Sequence, residues 1–329
     1  MDTIRWGVLA PGRIARSFAA DLALVPDAEL VATGSRSQER AAAFAAEFGG
    51  TAHGSYEGLL ADPSVDVVYV ASPHALHDEH VRMALAAGKH VLCEKPMTLD
   101  AASTEALFEE AAAQRLFLME AMWSACNPSI RKLLELLDGG AHGTARQVHA
   151  NIGMLVETDP TDRLLDPSLG AGALLDMGVY PLTFAHMVLG EPERLTAVAN
   201  LSASGIDLDL AIAGLYAGGA TAALTATMTS QPSRIAWVST DVGHFDLPRS
   251  FHHAERLQWT SYASGGPVSE WIDVDEPLVG RGYGNEILEV HRCLRAGALT
   301  SELVPPAQTI SVMRQMDGIR AQIGVSYLG

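Results

Sequence analysis

Apolar residues run continuously in short blocks through the first third of this chain and alternate with polar ones through much of the rest, a change that predicts two kinds of sheet. Ile4 to Leu9 is a β-branched apolar run that leads into a turn at residues 10–15 and a helical pattern through Leu24. Glu29 to Thr33, Val65 to Ala71 and the run ending at Val91-Leu92-Cys93 repeat the strand. Between them lie helical stretches at Gln38–Phe48, stopped by Gly49-Gly50, and at His77–Ala87, stopped by Gly88. Strands alternating with helices at this spacing predict a doubly wound parallel sheet. Leu99 to Leu116 adds an alanine-rich helix.

From about Trp123 the period changes. A helix is predicted over Ser129–Leu137, and then strands at Val148–Leu155, Leu195–Leu201, Leu208–Tyr216, Thr221–Met228, Ile235–Thr240, Arg256–Tyr262 and Glu270–Val274. The expected fold is thus α/β: a Rossmann domain over 1–122, then an α+β domain over 123–329 with a large, mostly antiparallel, open-faced sheet. The uncharged stretch Leu210–Met228 is near the length of a membrane span. Gly218-Gly219 at its middle and the alternating Ala and Thr after it predict a hairpin instead.

Composition narrows the partners. With 48% hydrophobic and 19% charged residues the chain is globular, and a net charge of −17 repels phosphate backbones, which argues against nucleic acid. Cys93, Cys126 and Cys293 have neither disulfide nor zinc spacing, and the N-terminus enters a strand without a leader pattern, so a cytoplasmic protein is expected.

The turn after the first strand, Ala10-Pro11-Gly12-Arg13-Ile14-Ala15, approximates the dinucleotide fingerprint, with Ala10 in place of the first glycine and Ala15 in the third place. Gly12 sits where a Cβ would obstruct a pyrophosphate approaching the helix N-terminus. After the second strand, where an acid would hold a ribose 2′-hydroxyl, the chain reads Gly34-Ser35-Arg36-Ser37. Arg36 with Ser35 and Ser37 suits a 2′-phosphate, so NADP(H) is expected over NAD(H), although Arg36 also reads as an exposed loop residue. Lys95, one residue past the end of its strand, is placed to point into the crevice where α/β sheets bind ligands; read alone, Glu94-Lys95 is a solvated pair. His74, His77 and His80 do not converge at i, i+3 and i+6, so no metal is expected, and His77 either lines the pocket or bonds locally. Farther on, Asp176 and Tyr180 are four apart, on one helical face, with Gly178 and Pro181 predicting distortion; read alone they are a cap and a half-buried phenol.

Taken together, Ser72-Pro73-His74 with His77, Ala87-Gly88-Lys89-His90-Val91 leading to Glu94-Lys95-Pro96, Met119-Glu120-Ala121-Met122-Trp123, and Asp166-Pro167 through Asp176-Met177-Gly178-Val179-Tyr180-Pro181 resemble the glucose-fructose oxidoreductase, inositol dehydrogenase and MocA family over nearly the whole chain. Within it the resemblance is to the branch of trans-dihydrodiol and NADP-dependent D-xylose dehydrogenases, which has Tyr where inositol dehydrogenases have His. The resemblance implies hydride transfer between a nicotinamide and a sugar, polyol or dihydrodiol carbon. It implies Tyr180 as general acid/base, Lys95 bonded to the same oxygen with Pro96 in a cis bond, and Asp176 orienting substrate or Lys95. Cofactor contacts are expected from Ala10, Gly12, Arg13, Ile14, Ser35, Arg36, Ser37, Ser72, Pro73, His74, His77, Glu94, Lys95 and Trp123. Trp123, Asn127 and Arg163 are placed in the substrate pocket by position. A homodimer or higher homo-oligomer through the second domain's sheet is also expected. Two other readings are a nicotinamide-dependent glycosidase and a non-catalytic NADP-binding regulator, the latter needing neither Lys95 nor Tyr180.

Overall fold

The computed structural model describes residues 3–156, 163–263 and 265–326, with the side chains of Arg163 and Ala263 outside that description. The chain divides into two compact units, one of residues 1–126 with 278–310 and the other of 127–277 with 311–329.

The first unit winds β1 (Ile4–Leu9), α1 (Arg13–Leu22), β2 (Ala28–Gly34), α2 (Gln38–Phe48), β3 (Thr51–His53), α3 (Tyr56–Leu60), β4 (Val67–Val70), α4 (His77–Ala86), β5 (His90–Glu94), α5 (Ala101–Ala113) and β6 (Leu118–Ala121). The strands form one parallel sheet in the order β3-β2-β1-β4-β5-β6, the arrangement that the strand-helix alternation predicts. Its strands read as unbroken apolar runs because both faces are covered: Val8, Leu9, Val67, Val68, Val70, Val91 and Leu92 are all fully buried. Each such side chain contributes roughly 1.5–3 kcal/mol relative to exposure. Helix boundaries follow their caps. Ser37 accepts from Arg40 N–H to start α2 and Gly49, at φ +89°, ends it.

In the second unit, α6 (Pro128–Asp138) precedes β7 (Ala145–Gly153), a π-helical turn over Leu174–Gly178 and α7 (Val179–Leu189). Then come β8 (Pro192–Leu201), β9 (Asp207–Tyr216), β10 (Thr221–Thr227), β11 (Ala236–Thr240), β12 (Gly243–Leu247), β13 (Leu257–Ala263) and β14 (Gly266–Ile272). They build an eight-stranded sheet in the order β14-β13-β12-β11-β7-β10-β9-β8, antiparallel at every described pairing except β7 with β10. The predicted hairpin is β9–β10, joined at Ala217–Gly219 with Gly218 and Gly219 at φ +71° and +78°. On β10 the residues Ala222, Leu224 and Ala226 are buried, as a one-face-packed sheet requires. Two further helices complete the chain, α8 (Tyr283–Arg295) in the first unit and α9 (Pro306–Ile323), within which the division between the units falls. Among the described residues the stretch long and apolar enough to cross a membrane is Pro167–Leu189, and it is 72% buried inside the protein, as a core helix is.

Candidate active site

The turn after β1 carries its departure from the fingerprint as backbone strain. Ala10 sits at φ +68°, the left-handed region a glycine enters freely, at a cost of about 1 kcal/mol. Its carbonyl accepts from Gly12 N–H at 2.8 Å and its own N–H donates to Gly34 O at 3.0 Å, which closes the turn. A Cβ on Gly12 would meet nothing nearer than the Ala10 carbonyl at 4.0 Å, so no packing in the fold demands a glycine there. The glycine instead leaves the N-terminus of α1 open, and that helix begins without a side-chain cap or a first-turn acid. Uncapped N–H groups at the positive end of a helix suit a pyrophosphate. Arg13 and Ile14 are its first residues.

At the end of β2, Ser35 is buried and its hydroxyl accepts from Ser37 N–H, while the Ser37 hydroxyl caps α2. Arg36 is exposed, and its positive charge beside the Tyr56 phenol opposes the upward push that burial gives that group. Two buried hydroxyls near the carboxyl ends of their strands, Thr33 Oγ1 and Ser72 Oγ, have no hydrogen-bond partner among the described residues. Open helix N–H groups, an exposed Arg and unsatisfied buried hydroxyls at one edge of a parallel sheet fit a phosphorylated dinucleotide.

Lys95 follows β5 directly and is half-buried, and the Lys95–Pro96 bond is cis, as the resemblance implies. The turn around it is gripped by buried polar groups. Glu94 accepts from the Tyr69 hydroxyl with one oxygen and from Lys95 N–H, at 3.1 Å, with the other. Glu120 on β6 accepts from Met97 N–H at 3.0 Å and from the Thr309 hydroxyl at 3.0 Å, yet burial pushes its carboxyl up to about 7. His77, fully buried, sets Nδ1 against Pro96 O and Nε2 against Ser72 O, both at 2.9 Å. Burial pushes its pKa down to about 4, so at neutral pH the ring is neutral and donates to one of these carbonyls. Of the two roles read for His77, the structure shows local bonding. The Glu94 carboxylate likewise holds backbone and a phenol. Pro73 starts a 3-10 turn whose first residue, His74, is buried with its ring 5.7 Å from that of His77. Trp123 is 7% exposed and stacks on Tyr283 of α8 with ring centroids 4.3 Å apart.

In the second unit, Asp176 is half-buried in the π-helical turn and Tyr180 stands in the first turn of α7, 7% exposed. The predicted distortion is this π turn, a feature concentrated at functional sites, anchored by Leu174 N–H on Asp207 at 2.6 Å. His252, which the sequence reading did not single out, brings its ring within 5.1 Å of Tyr180. Its only sequence signal is a pair of adjacent histidines beyond β12, which no spacing rule flags. Asn127, expected at the substrate by position, holds the fold locally. Its Oδ1 accepts from Ile130 N–H to cap α6 and its Nδ2 donates to Ala254 O at 3.0 Å, so both ends of the amide serve the fold. The side chain of Arg163 lies outside the described residues. Among the described residues no cluster of His, Cys, Asp or Glu could hold a metal ion.

Residues 4–122 match the description of an oxidoreductase family with an NAD-binding Rossmann fold, GFO/IDH/MocA, and residues 130–247 match the C-terminal domain of the same family. Trans-1,2-dihydrobenzene-1,2-diol dehydrogenase of Mus musculus is 33% identical over 98% of each chain. D-xylose 1-dehydrogenase (NADP(+)) of Hypocrea jecorina is 33% identical over 99% of this chain and 93% of its own. Among solved structures, KijD10, a 3-ketoreductase from Actinomadura kijaniata in complex with NADP and TDP-benzene, superposes with a TM-score of 0.87 at 27% identity over 98% of both chains.

Proposed function

The chain belongs to the GFO/IDH/MocA family of nicotinamide-dependent oxidoreductases, and on that premise we propose an NADP-dependent dehydrogenase acting on a carbinol carbon of a sugar, polyol or dihydrodiol. The observation that carries the reading is the turn at Lys95, a half-buried amine at the carboxyl end of a parallel strand whose flanking backbone is held by Glu94, His77 and Glu120. A structural lysine does not need its neighbours fixed in this way; a group that must meet a reacting oxygen does. When bound, the nicotinamide accepts the hydride leaving the carbinol carbon, or returns it. Tyr180 takes the hydroxyl proton and Lys95 bonds the same oxygen, stabilising the charge that develops on it. Asp176 orients the substrate or Lys95. The opened α1 N-terminus takes the pyrophosphate and Arg36, with Ser35 and Ser37, the 2′-phosphate, which gives NADP(H) preference over NAD(H).

We assign cofactor binding to 1–122 and substrate binding to 123–329. A homodimer through the open sheet is supported by exposed apolar side chains on its strands, among them Val198, Tyr262, Val268 and Trp271. A cytoplasmic location is supported by three buried cysteines held outside any disulfide.

The test is reduction of NADP⁺ across aldopyranoses, inositols and trans-dihydrodiols, with NAD⁺ in parallel and nitrophenyl glycosides as a control. Turnover of one carbinol class with NADP⁺ is the expected result. Glycoside cleavage without net cofactor reduction would replace this reading with the glycosidase one.

A further inference from the structure

Helix α8 carries a carboxyl group that no step above uses. Glu286, in the first turn of α8, is fully buried, and neither of its oxygens has a hydrogen-bond partner among the described residues. Its electrostatic surroundings are acidic. The charged groups that act on it are Glu94 at the end of β5 and Asp21 on α1, while the Tyr69 phenol on β4 feels both Glu94 and Glu286, with Tyr283 of α8 close by. Asp21 is already committed, accepting from the backbone N–H groups of Arg281 and Tyr283 at 2.8 and 3.0 Å. No cation is among the groups that act on Glu286.

A buried carboxylate next to two other acids, without a cation or a donor, has nothing to offset its desolvation. Burial first, and then the charges of Glu94 and Asp21, accordingly hold the Glu286 carboxyl well above the usual carboxylate range. In its acid form the group changes role, from an acceptor with no donors to a donor that needs an acceptor. Glu94 supplies one. It is a carboxylate that accepts from Tyr69 and from Lys95 N–H, and its charge acts on Glu286.

We propose that Glu286 is a buried carboxylic acid that donates its proton in a hydrogen bond to Glu94, directly or through one bound water, and so acts as a positioning residue for Lys95. The clamp then runs from α8 through Glu94 to the backbone of the turn, with Tyr69 bracing the same carboxylate. The positioning half rests on the catalytic reading of Lys95 given above; the proton-bearing half does not.

The experiment compares the full chain with Glu286→Gln, which keeps an N–H donor in the same shape, and Glu286→Met, which keeps volume without one. In parent-minus-variant infrared difference spectra at pH 7, both variants are expected to lose the share of the protonated-carboxyl carbonyl stretch that belongs to Glu286, while the share from Glu120, raised to about 7, stays. Turnover in Glu286→Met is expected to fall about tenfold, the loss of one hydrogen bond to a charged group, with NADPH affinity unchanged, and Glu286→Gln to recover most of that loss. A parent spectrum that keeps the whole band in Glu286→Gln overturns the proposal, as does full turnover in Glu286→Met. Should Glu286→Met fail to fold, the band and turnover of Glu286→Gln decide, since full loss of turnover in that variant contradicts a donor role. If Lys95→Met itself turned over normally, the catalytic reading would fall while the infrared band still reported on Glu286.

Discussion

Replacing Glu120 by Gln should change how the stability of the dinucleotide-binding unit depends on pH, and the structure sets the size of the change. Glu120 is buried on β6 and holds Met97 N–H, two residues beyond Lys95, together with the Thr309 hydroxyl. Burial raises its pKa from 4.5 to about 7 in spite of these bonds. The folded protein therefore binds this proton more tightly than the unfolded chain between those two values. Its contribution is fully present below about pH 4.5, is lost as pH rises through about 7, and is constant above that. The rise is worth about 3 kcal/mol. Gln carries no titrating proton and offers one acceptor where Glu offered two, so the variant is offset by a further roughly 1–3 kcal/mol that does not depend on pH. The assay is native-state amide exchange of β5 and β6 from pH 4.5 to 8, which reads the opening free energy of this unit alone. The stability of the parent relative to Glu120→Gln should decline by about 3 kcal/mol over the window and then level. A difference that stays constant across it would refute the reasoning.

Three other outcomes follow from particular contacts. Trp6→Phe removes the donor from the buried bond between Trp6 Nε1 and His291 Nε2, 3.0 Å, and should cost about 1–3 kcal/mol in denaturant unfolding. Asn127→Ala removes the cap of α6 and the bond to Ala254 O together, and should cost about 2–3 kcal/mol in thermal unfolding of the second unit. Arg36→Ala should weaken NADPH binding about ten- to hundredfold by titration calorimetry and leave NADH binding nearly as it was; an unchanged ratio would remove Arg36 from the cofactor site.

Where local chemistry and burial agree, the chain could be read directly. α2 falls on Gln38–Phe48 as read because Ser37 caps it and Gly49 stops it, and the parallel strands stand out because burial on both faces leaves no polar interruption. The hairpin at Gly218-Gly219 and the distortion before Tyr180 were legible for the same reason, the residues there having few other conformations open to them. The edge strand escaped this logic. β14 runs over Gly266–Ile272 in place of the expected Glu270–Val274, because nearly all of it is exposed and its register comes from pairing with β13, not from an apolar alternation. β12 was missed because its alternation, Gly243, Phe245 and Leu247, opens on a glycine and spans only five residues. The return of residues 278–310 to the first unit is a tertiary choice: α8 is amphipathic whichever sheet it packs on, and the acid-to-backbone bonds of Asp21 that hold its start link residues some 260 positions apart.

For the site, residue types named the parts, but not their partners. Lys95 and Tyr180 stood out by motif. Their supports, Glu120 beneath Met97, His77 between two carbonyls and His252 beside Tyr180, depend on which side chains a fold brings together, and spacing carries no sign of that. Asn127 carries a cap that its reading by position did not name. A polar residue near a motif is as often a cap, and the Pro at the start of α6 was the cue for one.

In the mechanism proposed above, Lys95 and Tyr180 perform the proton chemistry of an NADP-dependent dehydrogenase. It is tested most directly by measuring kcat and NADPH affinity side by side in Lys95→Met and Tyr180→Phe, on the carbinol substrate that the parent turns over. Both variants are expected to bind NADPH as the parent does while kcat falls by roughly 10²–10⁴-fold. Parent-like turnover in both, with cofactor binding intact, would contradict it.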